Sequence, residues 1–354
     1  MRSLQIGKRD AEYAIIQGGM GVGVSRSGLA GAVAREGGVG VISTAQIGYD
    51  EPDFEHDQKG ANLIAIRKHI RRAKEIADGH GLVGVNVMVA LKDYREHVRE
   101  AALAGADVII CGAGLPADLP ELVMNLDNPP AIAPIVSSCR AMELILKMWD
   151  HHYHSTADMI VVEGPKAGGH LGFHADELEQ IEQIPFTEEV KKIIAGKRVY
   201  EDRYGKQIPV IVAGGIFDHK DIRSVMALGA DGVQIASRFV ATEECDASMA
   251  YKQSYLDAKE TDVRIVKSPV GMPGRAIYNT FLQKLDKERE VISKCYGCLS
   301  KCNPATVPYC ITKALTNAVR GDIDHGLIFC GANVGRIHQM TTVHELMKEL
   351  CIDC

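Results

Sequence analysis

"IPVIVAGGIFDHKDIRSVMALGADGVQIASRF", residues 208–239, decides the fold. It holds a short apolar run, a Gly-Gly loop, an amphipathic stretch, a Leu-Gly-Ala-Asp stop and a second apolar run. Both apolar runs are β-branched and uninterrupted, the pattern of parallel strands covered on both faces. The glycine of the stop suits the left-handed position that ends a helix. The unit therefore reads strand, loop, helix, strand.

The unit recurs along the chain. Earlier apolar runs are YAIIQ (13–17), VGVIS (39–43), LVGVNVMV (82–89), DVIIC (107–111), AIAPIV (131–136) and DMIVVE (158–163). With the two runs of the quoted stretch they make eight. Helical patterns lie between them, among them SGLAGAVAREGG (27–38), with Ser27 as a candidate cap. LAGAD (103–107) and HSTAD (154–158) repeat the stop device. Eight such units point to an α/β fold, a TIM-type (β/α)8 barrel; an open doubly wound sheet is the alternative. Residues 1–247 are expected to form the barrel. Residues 248–354 break the rhythm and read as a helical, Cys-rich C-terminal extension packing on it. Residues 171–207 form a long insert after strand six, and loops of that length carry structure or function. The polar, acidic stretch 48–62 reads as a loop at the barrel mouth.

A net charge of −6 argues against a nucleic-acid partner, whose footprint is basic. No apolar run is long enough to span a bilayer, and MRSLQIGKRD lacks the apolar core of a signal peptide. A cytoplasmic protein acting on a small molecule, with no nucleic acid or membrane partner, is expected. A homodimer is the expected assembly. The ten cysteines read as reduced thiols or metal ligands, because a chain of 354 residues needs no disulfides to be stable.

In such barrels, function sits at the carboxyl ends of the strands. These ends are rich in glycine here: QGGMGVG (17–23), CGAGLP (111–116), EGPKAGGH (163–170) and AGGIFD (213–218). Glycine lets backbone N–H groups approach a ligand closely. Gly214 and Gly215 after strand seven, with Ala236, Ser237 and Arg238 after strand eight, match the phosphate position of such barrels. GGMGVG is a weak dinucleotide match, and VISTAQ supplies no acid where a dinucleotide site needs one. The phosphate expected is that of a mononucleotide such as FMN.

QGGMG, GVNVM, VVEGPKAGGHLG, PVIVAGGIFD and GADGVQIASRFVATEE together resemble the nitronate monooxygenase family, also called 2-nitropropane dioxygenases. FMN-dependent enoyl-ACP reductases are close relatives of that family. The resemblance covers about residues 10–250, in order. It implies a barrel with non-covalent FMN. Gly19, Met20, Gly168 and Gly169 would lie against the flavin ring. Asn86 would hydrogen-bond the isoalloxazine or ribityl region. Gly215 and residues 234–237 would hold the ribityl phosphate. Glu163 stands where the family often has Gln, and an ionised acid there would oppose the charge of a reduced flavin; Lys166 is a candidate neutralising partner. His170 matches the family's active-site histidine, a group able to take a carbon-bound proton. His174 has the weaker claim.

Cys295, Cys298, Cys302 and Cys310 are spaced C-x2-C-x3-C-x7-C, compatible with an Fe–S or Zn site. The function expected is FMN-dependent oxidation of alkyl nitronates with O2. The alternative is NAD(P)H-dependent reduction of an enoyl thioester. A non-catalytic flavin- or metal-binding protein is the third reading.

Overall fold

The computed structural model describes residues 3–351; residues 1, 2 and 352–354, including the last three positions of the terminal CIDC, lie outside them. The eight expected runs are the eight strands of a closed parallel barrel. They are β1 (Ile15–Gln17), β2 (Val39–Ser43), β3 (Leu82–Met88), β4 (Val108–Gly112), β5 (Ala131–Val136), β6 (Ile160–Glu163), β7 (Val210–Ala213) and β8 (Gly232–Ile235). Each pairs with the next in sequence, and β8 returns to β1 through Gln234 opposite Ile16. This is a TIM-type barrel, and the open sheet is excluded.

Side chains alternate across the barrel wall, as strand geometry demands. On β6, Val161 packs inside with Ile16, Val41 and Ile211, while Val162 packs outward with Trp149 and Ile193 under the helices. A short antiparallel hairpin, Leu4–Ile6 with Arg9–Ala11, adds Leu4, Ile6 and Ala11 to the interior cluster. The hairpin packs with the inward residues of the strands, on the side away from the glycine-rich carboxyl ends.

The recurrent Ala-Asp stop has a structural task. Each of its aspartates accepts an N–H from the start of the preceding strand: Asp107 from Val83 (2.9 Å), Asp158 from Ile132 (2.9 Å) and Asp231 from Val210 (2.8 Å). Each also has a lysine nearby, Lys74 at 2.8 Å, Lys206 at 2.7 Å and Lys197 at 3.9 Å. One acid thus joins neighbouring strands at the barrel's lower edge.

Two local expectations change. Ser27 does not cap its helix, Ser27–Arg35. Its hydroxyl bonds His69 Nδ1 at 3.0 Å, and the carboxylate of Asp246 takes the N–H groups of Arg26, Gly28 and Leu29 instead. The long insert 171–207 contains the helix Phe186–Gly196, whose Val190 and Ile193 pack into the layer between strands and helices. It therefore serves as the sixth barrel helix.

The extension carries helices Met249–Asp257, Ile311–Arg320 and Val343–Leu350, and also a β-hairpin, Val263–Lys267 with Pro273–Ile277. Val343, Leu346, Met347 and Leu350 pack against Leu29 and Val33 of the first barrel helix. The hairpin's second strand pairs with Gly169–His170, beyond β6, placing Gly274 opposite His170 and Arg275 opposite Gly169. The expected loop 48–62 ends at Asp57, since Gln58 begins the helix Gln58–Ala77; it buries Tyr49 and Phe54, and Phe54 stacks on Tyr296 of the Cys-rich segment at 5.9 Å between centroids.

Replacing Asp158 with Ala should strand the Ile132 N–H and the Lys206 ammonium, at a cost of about 1–3 kcal/mol. Asn keeps an acceptor and should restore part of the loss. Urea unfolding of the two variants checks this; an Ala variant as stable as the parent would rule out the clamp.

Candidate active site

The carboxyl ends of the strands enclose a cavity of about 230 Å3, far beyond the ~10–15 Å3 that one water needs. Every residue expected at the site lines it: Gly19, Met20, Asn86, Glu163, Gly168, Gly169, His170, Gly214, Gly215, Gln234, Ile235, Ala236 and Ser237. His174 does not. It is exposed and precedes the short helix Ala175–Glu179, its N–H bonded to Glu177 at 2.7 Å.

The rim is held close by its own backbone. Buried Gln17 joins β1 to β2, accepting the Val41 N–H at 3.0 Å and donating to the Gly18 carbonyl. A Cβ on Gly19 would sit 2.5 Å from Asn86 Cβ, so only glycine lets this loop pass over β3. Gly169 has φ +74° and open space around it. Its need for glycine is conformational, not steric.

At the ends of β7 and β8, the N–H groups of Gly215, Ile216, Ser237 and Arg238 find no acceptor among the described residues. They line the cavity together. The Ser237 hydroxyl accepts the Gly331 N–H at 2.9 Å and keeps its own proton to donate. Asn333 fixes the loop by donating to the Gly215 carbonyl at 2.7 Å. Unpaired amides beside a free hydroxyl form a site for an anion such as a phosphate. The Asn86 side chain has no hydrogen-bond partner among the described residues and opens on the same cavity. Donors of this kind suit the phosphate and polar groups of a mononucleotide cofactor such as FMN.

Glu163 ends β6 on the cavity wall. Burial pushes its carboxyl up to about 8, against a partial counter-pull from Arg275. The acid is therefore protonated at neutral pH. The sequence-based partner Lys166 lies elsewhere, 3.2 Å from exposed Glu182. The relevant cation is Arg275, 4% exposed, which donates to the carbonyls of Pro165 (2.8 Å) and Ala167.

Burial drives the His170 imidazole down to about 4, so the ring is neutral. Its Nε2 lies 2.7 Å from Ser268 Oγ, and its face meets the edge of Phe329 at 4.9 Å between centroids. Nδ1 has no protein partner among the described residues.

Sequence reasoning did not find Arg275, Ser268, Phe329 or the Gly331–Asn333 stretch. All belong to the extension, where no local motif marks them. The GMPGRAIYN run (271–279), with its apolar flank to an arginine, is the one signal that could have drawn attention.

Cys295, Cys298, Cys302 and Cys310 line one small cavity in the extension. Cys310 precedes the helix Ile311–Arg320, whose Leu315 lines the main cavity. Among the described residues, no three His, Cys, Asp or Glu side chains are gathered to hold a metal ion.

Glu163 imposes a pH dependence on stability. Its folded value of about 8 exceeds the ordinary 4.5, so above pH 4.5 the unfolded chain releases a proton that the folded chain keeps. Stability should fall as pH rises toward 8, at about 1.4 kcal/mol per pH unit. His170 acts in the opposite sense, but only below 6.5, since above it the ring is neutral in both states. The clean window is pH 6.5–8. Glu163→Gln should flatten the slope there, as read by urea unfolding of both proteins; identical slopes count against a protonated Glu163.

Comparison with known proteins matches this architecture. The family model for nitronate monooxygenase covers residues 2–353. A probable nitronate monooxygenase of Bacillus subtilis (strain 168) is 23% identical over 95% of this chain and 94% of its own. One from Staphylococcus saprophyticus is 31% identical over 163 residues, and that match spans 46% of this chain and 40% of the relative. Among solved structures, FabK from Thermotoga maritima superposes with a TM-score of 0.71 at 24% identity, covering 96% of this chain and 92% of that one. Nitroalkane oxidase from Streptomyces ansochromogenes gives 0.68 at 19%, covering 97% and 96%. The enoyl reductase domain of MlnA from Bacillus amyloliquefaciens gives 0.61 at 15%, covering 96% and 94%. At those identities the structural likeness speaks to the barrel. The family match spans nearly the whole chain, and no helix among the described residues is long and apolar enough to cross a membrane. By that match, the chain belongs to the nitronate monooxygenase family of oxidoreductases.

Proposed function

We propose that this protein binds FMN non-covalently and oxidises alkyl nitronates with oxygen, with His170 as the active-site base and positioning group. The observation that carries the reading is the neutral imidazole on the wall of a cavity that also offers an anion site at β7 and β8. The amides of Gly215, Ile216, Ser237 and Arg238, with the Ser237 hydroxyl, would hold the phosphate. Gly214, Gln234, Ile235 and Ala236 form the wall behind it. Gly19, Met20, Gly168 and Gly169 would bring backbone against the ring, and Asn86 and protonated Glu163 would meet its polar edge. Bound FMN would supply the electron acceptor that no side chain here provides. His170 would hold the nitro group of a nitronate, which has already lost its carbon-bound proton, or take that proton where the neutral nitroalkane is bound.

Anaerobic mixing of the yellow protein with the 2-nitropropane anion should bleach the flavin's visible absorbance. With neutral 2-nitropropane, whose carbon-bound proton must first be removed, His170→Ala should slow the bleaching on the order of 10²–10⁴-fold. A spectrum unmoved by any nitronate overturns the reading.

One observation favours a second reading, reduction of an enoyl thioester by NAD(P)H. Glu163 is a neutral acid up to about pH 8, and saturating a C=C bond needs a proton donor at carbon. Rapid bleaching by NADH or NADPH without nitronate would select it.

An Fe–S or Zn site on Cys295, Cys298, Cys302 and Cys310 is a separate proposal, supported by their spacing and their lining of one cavity, and it requires the thiols to draw together from their ungathered arrangement. Metal analysis of the purified protein decides it, and less than a tenth of an equivalent ("~0.1" per chain) of iron or zinc would end it.

A further inference from the structure

Part of the cavity wall comes from the extension, through Tyr251, Tyr255, Leu315 and Phe329 among others. No extension residue that lines the cavity, among the described residues, carries a charge. Phe329 is half-buried, and its ring meets the His170 imidazole at 4.9 Å between centroids.

The backbone holds that ring in place. Phe329 bridges Ala276 on the second strand of the extension's hairpin. Beside it, the Ile277 N–H donates to the Ile328 carbonyl at 2.9 Å, and the Cys330 N–H donates to the Arg275 carbonyl at 3.0 Å. The Phe329 carbonyl also accepts from the hydroxyl of buried Tyr255. Gly274, opposite His170 in the strand pairing, gives the ring its room: a Cβ there would lie 2.7 Å from Phe329 Cε1. One strand therefore pins the backbone of Phe329 and also leaves space for its ring beside the imidazole.

A nitronate has two unlike ends. Its negative charge lies largely on the nitro oxygens, and its carbon carries the substituents. With the nitro end at His170, the substituent falls against the groups around the imidazole, and the ring of Phe329 is one of them. A charged substituent would lose water there without gaining a partner, whereas an apolar one would not. Its length is limited, because a wall pinned through its backbone gives way poorly to added bulk.

We propose that Phe329 is a specificity-determining residue, whose ring beside His170 limits the space for the carbon substituent and selects nitronates with short apolar chains. The inference rests on His170 being the active-site group proposed above. It gives the extension a part in substrate choice as well as in holding the loops.

Oxygen consumption by the flavin-loaded protein, with the anions of nitroethane and 1-nitrohexane, tests this. The parent protein should favour the nitroethane anion in kcat/KM. Phe329→Ala should raise the ratio of 1-nitrohexane to nitroethane on the order of 10-fold or more, chiefly through KM for the longer anion. Phe329→Leu, which keeps part of the bulk, should fall between the two. Each ratio is taken on a single sample, so partial loss of flavin or fold cancels, and a merely structural role for Phe329 would leave the ratio at the parent's value. A parent that uses both anions equally well overturns the proposal, and so do variants that keep the parent's ratio. The underlying reading fails separately: His170→Ala turning over neutral nitroethane as fast as the parent would place the error in the active-site assignment, whatever the Phe329 variants do.

Discussion

The pairing of Gly169–His170 with Pro273–Ile277 is the constraint on which the site depends. A loop after a barrel strand has no partner of its own. Left alone, residues 164–170 would sample many conformations, and each ordered residue costs about 1–2 kcal/mol of backbone entropy. The extension's hairpin offsets that cost by adding strand hydrogen bonds beyond the barrel. Arg275, on the same strand, extends its guanidinium to the Pro165 and Ala167 carbonyls. Two independent ties thus fix one loop. That loop sets the position of Glu163 at its start and His170 at its end. The neighbouring glycines obey the same geometry: Gly168 has no room for a Cβ, which would lie 2.6 Å from the Cys330 carbonyl carbon.

Much of the barrel was legible because its signals are local. β-Branched runs and the Ala-Asp stop repeat at the scale of one βα unit, and the structure shows why the stop recurs: Asp107, Asp158 and Asp231 each clamp the preceding strand. The glycine-rich ends were legible for the same reason, and all the residues chosen there line one cavity. What stayed hidden depends on contacts distant in sequence. Leu4 and Ile6 look like an ordinary amphipathic start until their place in the barrel interior is known. Val263–Lys267 alternates too weakly to stand out, since its strand is only partly buried. The cap expected of Ser27 passed to Asp246, more than two hundred residues away. Ser268 carries no motif, and only the fold brings it to His170.

The extension is therefore more than a cover. Its helix Val343–Leu350 packs on the first barrel helix, and Gly331 and Asn333 brace the β7–β8 end through Ser237 and Gly215. Its Cys-rich segment leans on the loop 48–57 through Phe54 and Tyr296. The barrel supplies the strand ends, and the extension decides how the loops above them are held.

The charge state of the cavity follows from the same enclosure. An ionised Glu163 would repel a ligand that gains negative charge, which is what the sequence alone led one to expect. In the fold, burial raises its carboxyl to about 8 and lowers the His170 imidazole to about 4, so both are neutral across the physiological range. Arg275 stays charged, but its donors are engaged by backbone carbonyls on the far side of the loop. Around β6 the wall thus presents dipoles and a neutral acid and base, while the cations that line the cavity elsewhere, Lys166 and Arg238, are paired with Glu182 and Glu349. The partial positive charge of the unpaired amides at β7 and β8 is left to act on an anion. A pocket built this way tolerates negative charge appearing inside it because desolvation has kept its own carboxyl from contributing any.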